Sequence, residues 1–192
     1  MRTAKVERNT KETKILAELN LDGGETEIST GIGFFDHMLD AFAKHGGFGL
    51  KLKAVGDLEV DTHHTAEDTG IVLGQAFYEA LGGFSGIKRY GFFSVPMDDS
   101  LAEVSLDISN RPFLVFNCDM AQELCGDYET CVTEEFWRAF AENAKITLHI
   151  NVPYGNNAHH QVEAIFKAAA HALAIAIQKN ESGETLSTKG VL

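Results

Sequence analysis

Apolar and polar positions alternate over residues 3–8 and 13–21 on either side of the polar stretch NTKET, which predicts a hairpin ending at Asp22-Gly23-Gly24. Over residues 34–44 the period lengthens to that of a helix, and residues 48–55 return to a strand. A long helical pattern then runs to about Leu81, where Gly82-Gly83 stops it. Residues 89–96, 101–109 and 113–118 read as a strand-rich middle. The last part gives a helix over residues 133–143, a strand over 146–152 and a helix from Ala158 to about Lys179. No stretch has the composition of a linker.

The order helix, strand, connection, long helix occurs twice. MLDAFAKHGGFGLKLK aligns with FWRAFAENAKITLHIN, pairing Ala41 with Ala139, Phe42 with Phe140, Ala43 with Ala141 and Leu50 with Leu148. The repeat argues for two halves sharing one sheet system. The chain forms one unit of 192 residues made of two pseudo-repeats, about 1–90 and 91–192.

Both long helices open on His-His-x-x-Glu: His63, His64 and Glu67 in the first, His159, His160 and Glu163 in the second. Capping residues precede each motif, Asp61 and Asn157, so the ligand-type side chains sit in the first helical turn. Residues four apart share a helix face. His63 therefore stands over Glu67 and His159 over Glu163, while His64 and His160 turn away by about 100°. A solvated helix end explains one such motif; two copies at matching caps point to divalent metals. Cations at a helix N-terminus oppose the dipole, and the two glutamates offset that. The economical arrangement is a pseudo-symmetric dinuclear site, each ion taking a His/Glu pair from one motif and the odd His from the other. Nitrogen and carboxylate donors suit Mn, Fe, Co, Ni or Zn, leaning to Mn or Fe. The repeat also pairs His37 with Glu135, which makes both candidates to complete the metal shells.

A formal net charge of -12 argues against nucleic acid, which needs a concentrated basic surface. No apolar run is long enough to span a bilayer and MRTAKVERNTKETK lacks a signal-peptide core, so the expected location is cytoplasmic. Cys118, Cys125 and Cys131 lack CxxC spacing and read as reduced. GIGFFDH has no strand-to-helix glycine context for a dinucleotide. An anionic ligand would rely on a few basic residues: Arg89 and Arg111 near strand ends, and the tail Ser187, Thr188 and Lys189, suit a phosphate.

STGIGFFDHMLDAFAKHG, DTHHTAEDTGIVLG, KRYG with PMDDSLA, LDISNRP, GNNAHHQVEAIFKA and STKGVL, in this order, resemble the imidazoleglycerol-phosphate dehydratases of histidine biosynthesis across essentially the whole chain. The resemblance implies an α+β fold, an internally duplicated α/β sandwich with halves like ribosomal protein S5 domain 2, two Mn2+ per active site, and a homo-oligomer of 24 subunits built from trimers, with sites between subunits. It assigns His63, Glu67 and His160 to one metal and His37, His64, His159 and Glu163 to the other. Family members have a His where this chain has Glu135, so a carboxylate would replace an imidazole at the first metal. Substrate contacts carried over are Glu12, His45, Arg89, Arg111, Lys167, Ser187, Thr188 and Lys189.

Dehydrating imidazoleglycerol phosphate removes a carbon-bound proton that no carbonyl acidifies. Metals on the ring nitrogens would favour an imidazolate whose electrons expel the adjacent hydroxyl, after which a carboxylate takes the neighbouring C-H proton. Glu12 is the candidate acid/base, with Glu67 and Glu163 as alternatives. Two other readings compete: a dinuclear metallohydrolase of a phosphorylated small molecule, and a metal-storage or scaffolding shell without turnover.

Overall fold

The alternation that opens the chain becomes two antiparallel strands, β1 (Thr3–Asn9) and β2 (Thr13–Asn20), in a computed structural model that describes residues 1–190 and Leu192. β3 (Thr26–Ser29), α1 (Gly33–Gly46), β4 (Gly49–Gly56) and α2 (His63–Leu81) follow. The second half repeats the series as β5 (Tyr90–Met97), β6 (Ser100–Asp107), β7 (Phe113–Asn117), α3 (Val132–Ala144), β10 (Thr147–Tyr154) and α4 (Ala158–Ala176). Before α3 it inserts a two-residue-per-strand hairpin, β8 (Leu124–Cys125) with β9 (Tyr128–Glu129).

The first sheet has the order β1-β2-β4-β3 and the second β5-β6-β10-β7. In each, the last two strands run parallel and the others antiparallel. The expected duplicated α+β fold is thus present down to strand direction. α2 lies on β1 and β2, and α4 on β5 and β6. The shorter helices cross over: α1 packs on α4 and α3 on α2, so each repeat's short helix meets the other repeat's long one.

Aromatic side chains fill the seam. Phe35, Phe42, Phe136, Trp137, Phe140 and Phe166 are each at most 1 % exposed, with ring centroids between neighbours 5.0–6.4 Å apart. Truncating one of these rings would cost about 3–5 kcal/mol. Glycine sets the α2–α3 spacing, because a Cβ on Gly70 would lie 2.5 Å from the Phe136 carbonyl oxygen and one on Gly74 2.6 Å from that of Phe140.

Three expectations are corrected. The halves do not share one sheet system: each has its own, edged by β3 in the first and β7 in the second, and β3 is too short, exposed and free of alternation to show in the sequence pattern. α4 stops at Ala176, since the chain then turns to pair Lys179 with Ile87. The cap of α2 is Thr62, not Asp61, although Asp61 still accepts the His63 N–H at 2.8 Å. The cysteines are free thiols, and burial pushes Cys118 up to about 11. No helix of the described residues is long and apolar enough to cross a membrane.

Candidate metal centre and basic cleft

Asn157 is extended and accepts the His159 N–H at 2.9 Å, so α4 starts where the sequence places it, with His159 and His160 in its first turn. Glu163 is four residues on, and the α1–α4 crossing carries His37 to the same face. His159 Nε2 and His37 Nε2 lie 3.1 and 3.6 Å from Glu163 Oε2. These three are the one set of three or more His, Cys, Asp or Glu ligand atoms, among the described residues, that falls within 4.8 Å. Two imidazoles and a carboxylate converging on one point is a donor set that fits a divalent first-row metal. Burial alone would raise the pKa of Glu163, but Lys167 Nζ at 2.7 Å from Oε1, with the two imidazoles, brings it below the usual carboxylate range. The carboxylate is thereby split, Oε1 to Lys167 and Oε2 to the histidines.

At α2 the geometry is looser. His63 Nε2 is 3.3 Å from Glu67 Oε2, and both side chains are nearly half exposed. Glu135 does not join them; its carboxylate lies 3.6 Å from Arg138 on its own helix. The odd histidines are turned away, as helical geometry requires, and each leans on an aspartate. His64 Nδ1 is 3.0 Å from Asp57, whose hydrogen bond raises the His64 pKa. His160 Nδ1 is 2.6 Å from Asp99, and that hydrogen bond, with one from the Asn156 N–H, holds Asp99 down to about 2. A carboxylate on one ring nitrogen fixes the tautomer and leaves the other nitrogen's lone pair for a metal. No described residue of the opposite motif completes either shell: His160 does not gather with His63 and Glu67, nor His64 with His159 and Glu163.

The first turns of both long helices are braced by the segment around β8 and β9. Thr62 donates to Glu129 at 2.8 Å, and Gln122 accepts the Ala158 N–H at 2.7 Å. Sequence pattern gives no sign of this brace, because its contacts join residues 36 and 67 positions apart.

Farther along α4, Lys167 and His171 continue the stripe begun by His159 and Glu163, at intervals of four residues. His171 Nε2 is 3.2 Å from His45 Nδ1 at the end of α1, and its ring stacks on Phe93 at 4.3 Å. Burial lowers the pKa of both histidines. Lys167 itself is held by Glu163 and touches Met97 Sδ at 3.7 Å. Glu12, in the β1–β2 turn, has Oε2 4.0 Å from His64 Nδ1.

The remaining candidates form a separate cleft of about 800 Å³ lined by Arg89, Tyr90, Arg111, the 185–189 segment and Leu192. Arg89 adopts φ 73, an uncommon αL conformation, and its guanidinium is engaged: Nε and one terminal nitrogen donate to Asp107 at 2.6 and 2.9 Å, the other to the Leu186 carbonyl. It anchors the tail as well as lining the cleft. Arg111 is 65 % exposed, 3.6 Å from Asp107, and the more available of the two. Ser187, Thr188 and Lys189 stand along the same wall.

The cleft lies at the far end of α4 from the metal-type cluster, since Arg89 N–H donates to the carbonyl of Ala176, the last helical residue. A helix of 19 residues is about 28 Å long.

A family model described as imidazoleglycerol-phosphate dehydratase matches residues 30–173. Imidazoleglycerol-phosphate dehydratases of a Thermoanaerobacter species and of Phenylobacterium zucineum are 57 % and 52 % identical over the whole of this chain and 100 % and 99 % of their own. The crystal structure of the Staphylococcus aureus enzyme of that name superposes with a TM-score of 0.85 at 40 % identity, covering 93 % of this chain and 99 % of that one. The Pyrococcus furiosus enzyme, crystallised in complex with (S)-C348, gives 0.86 at 39 %, covering 97 % and 100 %.

Proposed function

The chain belongs to the imidazoleglycerol-phosphate dehydratase family and catalyses the dehydration of imidazoleglycerol phosphate in histidine biosynthesis; from this premise we propose that its two His-His-x-x-Glu motifs hold a pair of Mn2+ ions at sites shared between copies of the chain. The observation that carries the proposal is the gathering of His37, His159 and Glu163 at the start of α4, with one more donor needed to fill the shell. His64 of another copy would supply it. His63, Glu67 and Glu135, with His160 from another copy, would hold the second ion.

Distance supports the sharing. Imidazoleglycerol phosphate spans about 10 Å from ring to phosphate, a handful of bonds of roughly 1.5 Å. The cluster and the basic cleft of one chain stand at opposite ends of a 19-residue helix. A substrate with its ring at one cannot have its phosphate in the other unless a second copy provides it. The proposal is therefore a homo-oligomer, of 24 subunits by resemblance.

When bound, the ions would stabilise negative charge on the imidazole ring, which drives the hydroxyl from the adjacent carbon. The chain's own groups do the rest. Arg111, Lys189 and the hydroxyls of Ser187 and Thr188 hold the phosphate, and Arg89 fixes the tail that carries them. Lys167 keeps Glu163 ionised and aimed. Glu12 takes the proton from the carbon next to the one losing hydroxyl, and the resulting enol tautomerises to imidazoleacetol phosphate.

Incubation of the Mn-loaded protein with imidazoleglycerol phosphate tests this reading. Formation of the ketone is expected, abolished by chelation and restored by Mn. Ketone formation at an undiminished rate in verified metal-free protein would sink the metal proposal. Release of inorganic phosphate in place of the ketone would mark the reaction as hydrolysis.

A further inference from the structure

The buried carboxylate of Asp68, one residue after Glu67, is used by none of the steps above. Asp68 is 8 % exposed, yet it reaches out of α2 to the strand hairpin that lies on the helix. Its Oδ2 accepts the Thr13 hydroxyl at 2.5 Å and its Oδ1 lies 2.9 Å from Arg8 Nε. Thr13, itself 2 % exposed, closes the β1–β2 turn: Thr10 N–H donates to its carbonyl at 2.8 Å, and its own N–H donates to the Thr10 hydroxyl at 2.9 Å. The same hydroxyl accepts the Glu12 N–H at 3.1 Å. Glu12 is exposed at the tip of this cross-linked turn, beside Lys11.

Gly56, the β4 residue opposite Thr13, makes the docking possible, since a Cβ there would come within 2.0 Å of the Thr65 hydroxyl. The strand rim thus sits directly on the first turns of α2. In the second half the position after Glu163 is Ala164, and the β5–β6 turn is tied down by Asp99 to His160 and Asn156. Among the described residues, only the half whose hairpin carries Glu12 has a helix carboxylate gripping that hairpin.

We propose that Asp68 is a positioning residue for Glu12: by holding Thr13 and Arg8 it locks the β1–β2 turn to α2 and so sets the distance between the Glu12 carboxylate and the ligand-bearing turn. The proposal rests on the reading of Glu12 as acid/base. A displacement of about 1 Å at such a group can cost on the order of 10²-fold in rate.

The test is a double-mutant cycle in the Mn-loaded, assembled enzyme, with kcat, KM and bound Mn measured for each variant. Asp68→Ala should lower kcat by about 10- to 100-fold, with KM and Mn content within about twofold of the parent, because only the placement of Glu12 changes. In a Glu12→Gln background the same substitution should lower kcat by less than about threefold, there being no acid/base left to place. Asp68→Asn, which keeps an acceptor for Thr13, should recover most of the activity. Thr13→Val, nearly isosteric, should reproduce the pattern if Asp68→Ala does not fold. Equal losses in both backgrounds, or a loss of Mn, would overturn the role of Asp68 while leaving Glu12 its own. A Glu12→Gln enzyme with parental kcat would overturn the reading of Glu12, and this single variant reports that failure by itself.

Discussion

The two long helices begin with the same five-residue motif and end up in unequal surroundings. At α4, His159 and Glu163 receive His37 from the crossing helix, and Glu163 has an 8 % exposed side chain gripped by Lys167. At α2, the crossing helix offers Glu135, which pairs with Arg138 instead, and Glu67 remains 45 % exposed. The acids that steady the odd histidines also come from different places: Asp57 follows β4, whereas Asp99 sits in the β5–β6 turn. Duplication therefore supplied two scaffolds, and divergence gathered three donors at one and only a His/Glu pair at the other. In the first half the turn equivalent to that of Asp99 carries Glu12 instead.

The largest effect should come from the buried half. Glu163→Ala removes the anion shared by two imidazoles and leaves Lys167 unpaired, so kcat/KM should fall on the order of 10³-fold, with one of two Mn lost per chain. Glu67→Ala should cost about tenfold less, since its carboxylate has only His63 beside it and water around it. Equal losses and equal metal content in the two variants would break the asymmetry.

Asp57→Asn and Asp99→Asn probe what the halves share. Each removes a carboxylate from a histidine that turns away from its own motif, and each should weaken Mn binding by about 10- to 100-fold. Isothermal titration of Mn into both variants checks this; no change in either would mean that the odd histidines bind no metal.

A smaller effect is expected at Glu135. Glu135→His should retain both ions and shift preference from Mn towards softer Zn at one site, whereas Glu135→Ala should weaken that site alone, by about tenfold. Normal binding of both ions by the alanine variant would make Glu135 no more than the partner of Arg138.

The smallest effect concerns packing. Gly70→Ala drives a methyl against the Phe136 carbonyl and should cost about 1–3 kcal/mol, lowering the melting temperature by roughly 3–10 °C. Glu79→Gly, at an exposed position of the same helix, should cost only about 0.5–1 kcal/mol, a helix-propensity effect. Thermal melts that rank the two variants the other way would show that the α2–α3 contact is not held tight by glycine.

Much of this was legible from residues alone, for physical reasons. Helix and strand periods are local, so the repeat and its longer elements could be read to within a few residues of their ends, whereas the short strands β3, β8 and β9 could not. The pairing of His63 with Glu67 and of His159 with Glu163 follows from the 3.6-residue turn. His37 could be placed only through the repeat. Asp57, Asp99 and Asp68 were not singled out, because a lone aspartate in a chain with 28 acidic residues carries no pattern. Asp68 reaches 55 positions back to Thr13, and no window of sequence contains both. The β8–β9 brace escaped for the same reason: its strands are two residues each, and its work is done by side chains at long range.

Trp137, the chain's single tryptophan, sits where α3 meets the aromatic rings of α1 and α4, at 0 % exposure. Its indole nitrogen has no hydrogen-bond partner among the described residues. Its fluorescence should therefore be blue-shifted in the folded protein and respond to separation of either repeat from the other. Because each repeat lends a helix to the other's long helix, the halves cannot melt one at a time without exposing that indole. One emission curve should then coincide with loss of helix and of sheet together, the optical signature of a molecule that unfolds as a unit although it was built as two.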